Sequence, residues 1–254
     1  MTRGACAPAR VGISRTGKAV QITAQRQPLA NLNPQAGSTH DLPGDTFRLL
    51  SDQVAYLKLS SVKVADVDSY IKRAESTRGL IIDIRNEFVP FALGSSFVDR
   101  PTPFARFTAG DLENPGAFLW RGQPLQLVPA QLRYPGKVVV LVDELSQSQA
   151  EYTAMAFRAS PRTVVVGSTT AGADGNVSQV MLPGGLRSMI SGIGVFYPDK
   201  RPTQRIGIVP DVVSRPTIAG IRAGRDQVLE DGLRQILGRD VPADQIEKMA
   251  APAR

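Results

Sequence analysis

The sequence predicts an α/β domain whose parallel strands are covered by helices. Two nearly all-apolar runs, Leu80-Ile81-Ile82-Asp83-Ile84 and Lys137-Val138-Val139-Val140-Leu141-Val142, read as strands buried on both faces. Helical periodicity lies between and after such runs, and a strand–helix–strand order implies parallel pairing through a covering helix. The length supports one large core: 254 residues, 42% of them hydrophobic.

The elements follow in chain order. Residues 10–29 read as two short strands, Arg10–Arg15 and Ala19–Ala24, alternating polar and apolar around a Thr16-Gly17-Lys18 turn. Residues 30–46 are rich in Asn, Pro, Gly, Ser and Asp and look like a linker. Val54–Leu59 is a strand. Val64–Ser76 is a helix, with Val64, Val67, Ile71 and Ala74 at helical spacing and Gly79 beyond its end. Residues 99–130, punctuated by Pro and Gly, read as extended loops and short strands. After the strand at 137–142 comes a helix from about Ser148 to Ala159, then a strand at Thr163–Gly167. Residues 180–214 look like a β meander with a Gly184-Gly185 turn, and residues 224–237 form a closing amphipathic helix. The predicted organisation is a β segment at 1–30, a linker at 31–48, an α/β core at 49–240 and a C-terminal tail at 241–254.

Several function classes are disfavoured. No run of about 18 apolar residues exists, so no membrane span is expected. One cysteine, Cys6, and one histidine, His40, leave no intramolecular disulfide and no four-ligand zinc site. Carboxylates are scattered, so no metal is expected. The net charge of +7 is concentrated: residues 1–40 carry Arg3, Arg10, Arg15, Lys18 and Arg26 and no acid. That is not the basic face interleaved with aromatics of a nucleic-acid binder, so no nucleic-acid partner is expected. The Gly-rich stretch Thr169–Gly175 lacks the Gly-Lys-Ser/Thr of a phosphate loop, and no cofactor is expected. The N-terminus shows no secretory signal. Oligomeric state is not legible.

The informative segment is Asp143-Glu144-Leu145-Ser146-Gln147-Ser148-Gln149-Ala150-Glu151, where a buried strand ends, a polar turn follows and a helix begins. A serine at the helix start can attack a carbonyl, and the N–H of the next residue can hold the oxyanion. The alternative is structural: Ser148 or Ser146 caps the helix, with Glu151 completing a Ser-x-x-Glu capping box.

These motifs resemble the C-terminal processing peptidases, the tail-specific serine proteases with tricorn-like and retinoid-binding-protein-like relatives. The resemblance rests on Ser146-x-Ser148-x-x-Glu151, on Val164–Gly172, on Gly207-Ile208-x-Pro210-Asp211, and on the runs Val54–Leu59 and Gly79–Asn86, over about residues 50–237. It implies a crotonase-like or Clp-protease-like core, Ser148 as nucleophile and Gln149 N–H as oxyanion donor. It implies polypeptide substrates cut near their C-termini and a periplasmic or secreted location. Residues 10–29 resemble the last strands of the PDZ domain that precedes this core in the family, which implies a chain truncated at its N-terminus.

The chain departs from the family at four places. The segment holding the general-base lysine reads Gly172-Ala173-Asp174-Gly175, without lysine. The tricorn-like histidine and glutamate positions hold Lys58 and Gln204. Strand parity places Lys58 with Tyr56 and Ser60, which allows it as the base; the alternative is a lysine on a solvated face. Gly172 and Gln204 are expected to contact substrate. His40 falls in the linker, so a Ser–His arrangement is not expected. No glycine follows Arg85 until Gly94, which leaves the second oxyanion donor unassigned. A protein of this fold that binds peptides or an apolar ligand without turnover therefore stands beside the peptidase reading.

Overall fold

Successive side chains of a strand point to opposite faces, and here that alternation builds two cores on one sheet. The structure, a computed structural model, describes residues 7–28, 31–32, 40–85 and 91–252 and divides into two units, 1–38 and 39–254.

The first unit contains an antiparallel hairpin, β1 (Ala9–Arg15) and β2 (Lys18–Ala24), paired from Ala9↔Ala24 to Arg15↔Lys18. Its two-residue turn places Thr16 at φ 51° and Gly17 at φ 79°, the positive values that tight hairpins need. The hairpin matches the strands expected at 10–29; two strands do not by themselves identify a PDZ domain.

The second unit is built on a six-stranded sheet. Its strands are β3 (Phe47–Leu49), β4 (Val54–Lys58), β5 (Gly79–Asp83), β8 (Lys137–Val142), β9 (Thr163–Gly167) and β13 (Val212–Val213). They lie in the order β13-β9-β8-β5-β4-β3, all parallel except β3 against β4. Leu80, Ile82, Val138, Val140, Val142 and Val165 face one core. Helix α1 (Val67–Ala74) adds Ile71 and Ala74 there, and helix α2 (Gln149–Arg158) adds Ala150, Ala154, Met155 and Phe157. Ile81, Val139, Leu141 and Val166 face the other core, beneath helices α4 (Gln227–Leu237) and α5 (Ala243–Ala250). Each such side chain contributes about 1.5–3 kcal/mol when fully buried. Gly232 on α4 lets that helix approach closely, since a Cβ there would lie 2.9 Å from Leu141. A short helix, α3 (Ile218–Arg222), precedes α4.

An antiparallel sheet in the order β12-β6-β7 is formed by β6 (Thr102–Gly110), β7 (Phe118–Leu127) and β12 (Ile193–Phe196). Thus 102–127 holds two long paired strands where loops and short strands were expected. A hairpin of β10 (Val177–Leu182) and β11 (Leu186–Ser191) turns at Gly184-Gly185, as anticipated. The expected tail is also structured: Ile246 and Ala250 of α5 are buried. This mixed α/β fold with a parallel-containing sheet is the predicted class.

Candidate active site

Strand β8 ends at Val142, and six residues carry the chain to the first turn of α2. Ser146 is fully buried and fixes this turn. Its hydroxyl donates to the Ile84 carbonyl at 2.8 Å and accepts from Asp143 N–H at 3.2 Å. Its carbonyl accepts from Ala171 N–H at 3.1 Å, which ties the turn to the loop after β9.

Ser148 is the N-cap residue of α2, with φ 52° and ψ −115°. An ordinary N-cap residue lies in the β region; a non-glycine residue in this conformation carries of order 1–3 kcal/mol of strain. Glu151 supports it. That side chain is fully buried, and Oε2 accepts from Ser148 N–H at 3.1 Å and Ala173 N–H at 2.8 Å. Oε1 accepts from Thr170 Oγ1 at 2.5 Å and Gly172 N–H at 2.7 Å. Ser148 and Glu151 thus face one another as a capping box. Both halves of the box are present: Glu151 accepts from Ser148 N–H, and the Ser148 side chain faces the N–H of Glu151.

Ser148 is half-buried and lines a cleft of about 310 Å³ with Gln149, Tyr152 and Asp174. Phe107, Ile193 and Val195 supply apolar wall. Gln149 is the first residue of α2, where a backbone N–H has no intrahelical acceptor. The cleft therefore holds a serine hydroxyl and a main-chain donor side by side. A cavity of about 660 Å³ adjoins it, sharing Asp174, Gly175 and Ile193 and lined further by Gly172 and Gln204. Gly172 also donates to Glu151, and Gln204 donates to the Ile193 carbonyl at 3.0 Å.

The structure thus gathers Ser148, Gln149, Gly172 and Gln204 along connected clefts. It places Lys58 elsewhere. Lys58 follows Tyr56 in parity, on the sheet face of α4 and α5, and its ammonium donates to the Leu42 carbonyl at 3.2 Å. His40 is not an idle linker residue: its Nδ1 lies 2.5 Å from Asp143 Oδ2, in a separate cavity of about 500 Å³ with Arg85 and Asp226. Arg85 is buried there between Asp83 (2.6 Å) and Asp226 (2.7 Å), an ion-pair network that ties β5 to the start of α4. Residues 86–90, in the stretch before Gly94 that leaves the second oxyanion donor unassigned, lie outside the described residues. Among the described residues no group of acidic, histidine or cysteine side chains could hold a metal ion, and no helix is long and apolar enough to cross a membrane.

Asp174 is the residue that sequence reading missed. It is 7% exposed, and its carboxyl is pushed up to about 7. Burial is the main cause and the Glu151 charge adds to it, while the Gly175 N–H and, less, the Thr203 hydroxyl oppose it.

Residues 99–214 match the sequence profile of Peptidase family S41. No curated protein matches the chain. Among solved structures, a candidate peptidase from Parabacteroides merdae ATCC 43184 is 22% identical, with TM-score 0.68, over 80% of this chain and 69% of that one. Mature CPAF complexed with lactacystin is 15% identical, with TM-score 0.67, over 97% and 68%. The photosystem II D1 C-terminal processing protease is 20% identical, with TM-score 0.53, over 93% and 61%. At these identities the likeness is one of fold.

Proposed function

We propose, from the match of residues 99–214 to Peptidase family S41, that the protein is a serine-type peptidase with Ser148 as nucleophile. The observation that carries the reading is the backbone of Ser148: a strained serine at a helix start, after a parallel strand, lining a cleft. The strained turn presents the hydroxyl to an incoming carbonyl, and Gln149 N–H stands beside it for the developing oxyanion. Polypeptides are the substrate class that the family implies. We extend this to cleavage near C-termini, by analogy with the D1 C-terminal processing protease among the fold neighbours. A periplasmic or secreted location belongs to the same proposal and rests on family resemblance alone.

A second reading has one observation in its favour. Among the described residues, no lysine or histidine lines the Ser148 cleft. A protein without a proton acceptor there would bind peptides without cutting them. A fluorophosphonate probe separates the two. Labelling at Ser148, lost in Ser148→Ala, supports the peptidase; peptide binding with no labelling from about pH 6 to 10 supports the binder. The C-terminal preference is tested by comparing one peptide with its amidated form, since a preference for chain ends requires the free carboxylate to be cut faster.

A further inference from the structure

A buried carboxylate oxygen without a donor sits at the serine cleft. Asp174 Oδ1 accepts from Gly175 N–H at 2.8 Å. Oδ2 is buried and has no hydrogen-bond partner among the described residues. The nearby Thr203 hydroxyl donates to the Val195 carbonyl at 3.0 Å and pulls the Asp174 carboxyl down only as the last of the influences on it. An unpaired buried carboxylate is costly, and taking up a proton relieves that cost.

The surroundings favour proton uptake. Glu151 of α2 faces Asp174 with a like charge, and Tyr152 one residue on is pushed up to about 12 by burial and by Asp174. Arg205 lines the adjoining cavity on the side of Gly172 and Gln204. Asp174 and Tyr152 are the titratable side chains among the described lining of the Ser148 cleft. The other candidate bases are engaged: Lys58 by the Leu42 carbonyl, His40 by Asp143, and Glu151 by four donors.

We propose that Asp174 is the proton acceptor for Ser148; this rests on the reading of Ser148 as nucleophile. As Ser148 Oγ bonds to the scissile carbonyl carbon, its proton passes to Asp174 and the carbonyl π pair moves onto oxygen. When the C=O re-forms and the C–N bond breaks, Asp174 returns the proton to the departing amine. Water then attacks the acyl-enzyme and gives its proton to Asp174, and Ser148 Oγ recovers that proton as it leaves.

The test is the rate of fluorophosphonate labelling against pH, in wild type, Ser148→Ala, Asp174→Asn and Asp174→Glu. Asn keeps an acceptor for Gly175 N–H and removes the base. Wild-type labelling is expected to rise through an inflection near pH 7. Asp174→Asn is expected to label about 100-fold more slowly or worse and to lose the inflection. Asp174→Glu, which keeps a carboxyl, is expected to retain it. If wild type labels at Ser148 and Asp174→Asn matches it in rate and profile, the proposal for Asp174 is overturned and Ser148 stands. If wild type does not label, both fall. Should Asp174→Asn fail to fold, the wild-type profile decides, because a flat response between about pH 5.5 and 8.5 overturns the assignment.

Discussion

Glu151→Gln tests whether one side chain holds the serine turn in place. The substitution keeps the shape and removes the charge. Glu151 accepts four hydrogen bonds, two on each oxygen: Thr170 Oγ1 and Gly172 N–H on Oε1, Ser148 and Ala173 N–H on Oε2. Glutamine has one oxygen, so in either orientation two donors meet an NH₂ group. A buried donor left unsatisfied costs about 1–3 kcal/mol. Ser148 and Ala173 are partly open to water, so the amide will turn its NH₂ towards them and the loss falls at the low end, about 2–4 kcal/mol in all. Urea unfolding followed by circular dichroism reads this as a lower midpoint with an unchanged slope. Fluorophosphonate labelling of Ser148 is expected to fall as well, since the same bonds hold the turn. A variant that unfolds within about 0.5 kcal/mol of wild type refutes the reasoning, because it shows the four donors to be satisfied without the carboxylate.

Three other expectations follow from buried groups. Arg85→Met leaves Asp83 and Asp226 without their shared partner and is expected to cost about 3–5 kcal/mol in urea unfolding; a loss below about 1 kcal/mol contradicts the buried network. Gly167→Ala is expected to prevent folding or lower the melting temperature severely, because Gly167 has φ 138° and a Cβ would lie 1.8 Å from the Val142 carbonyl oxygen; near-native melting refutes it. Asp174 carries its carboxyl at about 7 when folded against an ordinary 3.8, so between those values the folded state binds more protons than the unfolded. Its contribution is therefore full below about pH 4 and lost as pH rises through 7. Relative to wild type, Asp174→Asn should be closest in stability at low pH and gain on the order of a few kcal/mol by pH 8. A stability difference that does not change with pH removes the shift.

The sheet was legible because alternation and apolar runs act locally. Lys137–Val142 is apolar after its first residue because both of its faces are covered, and covering helices are what parallel strands require. Strands β6 and β7 were less legible because Pro103, Gly122 and Pro124 interrupt them and the register shifts around Ala105, which breaks the period-two signal. Helix α5 is eight residues long, and only two of its side chains, Ile246 and Ala250, are buried. Ser148 could be singled out because its signal is a short motif at a strand-to-helix turn. Asp174 could not, because its property is burial beside Glu151, and burial belongs to the assembled loop. The same holds for His40, whose partner Asp143 is 103 residues away.

The strain at Ser148 separates a structural cap from a nucleophile by the sign of one free-energy change. At φ 52° a glycine avoids most of the conformational cost that serine bears. A cap that holds its helix through the hydroxyl loses a few tenths of a kcal/mol when replaced by glycine and about 0.5–2 when replaced by alanine. The Ser148 hydroxyl faces the Glu151 N–H in the capping box and so has this much to lose, but glycine also relieves the strain while alanine does not. Ser148→Gly is then expected to stabilise the protein by roughly 0.5–1 kcal/mol net, and Ser148→Ala to cost about 0.5–2 kcal/mol. That pattern, read by thermal and urea unfolding, identifies a position where the side chain is retained against the preference of the backbone, and labelling is lost in both variants. If both substitutions destabilise the protein in the manner of a cap, the conformation is explained by the helix alone and ceases to support the catalytic reading.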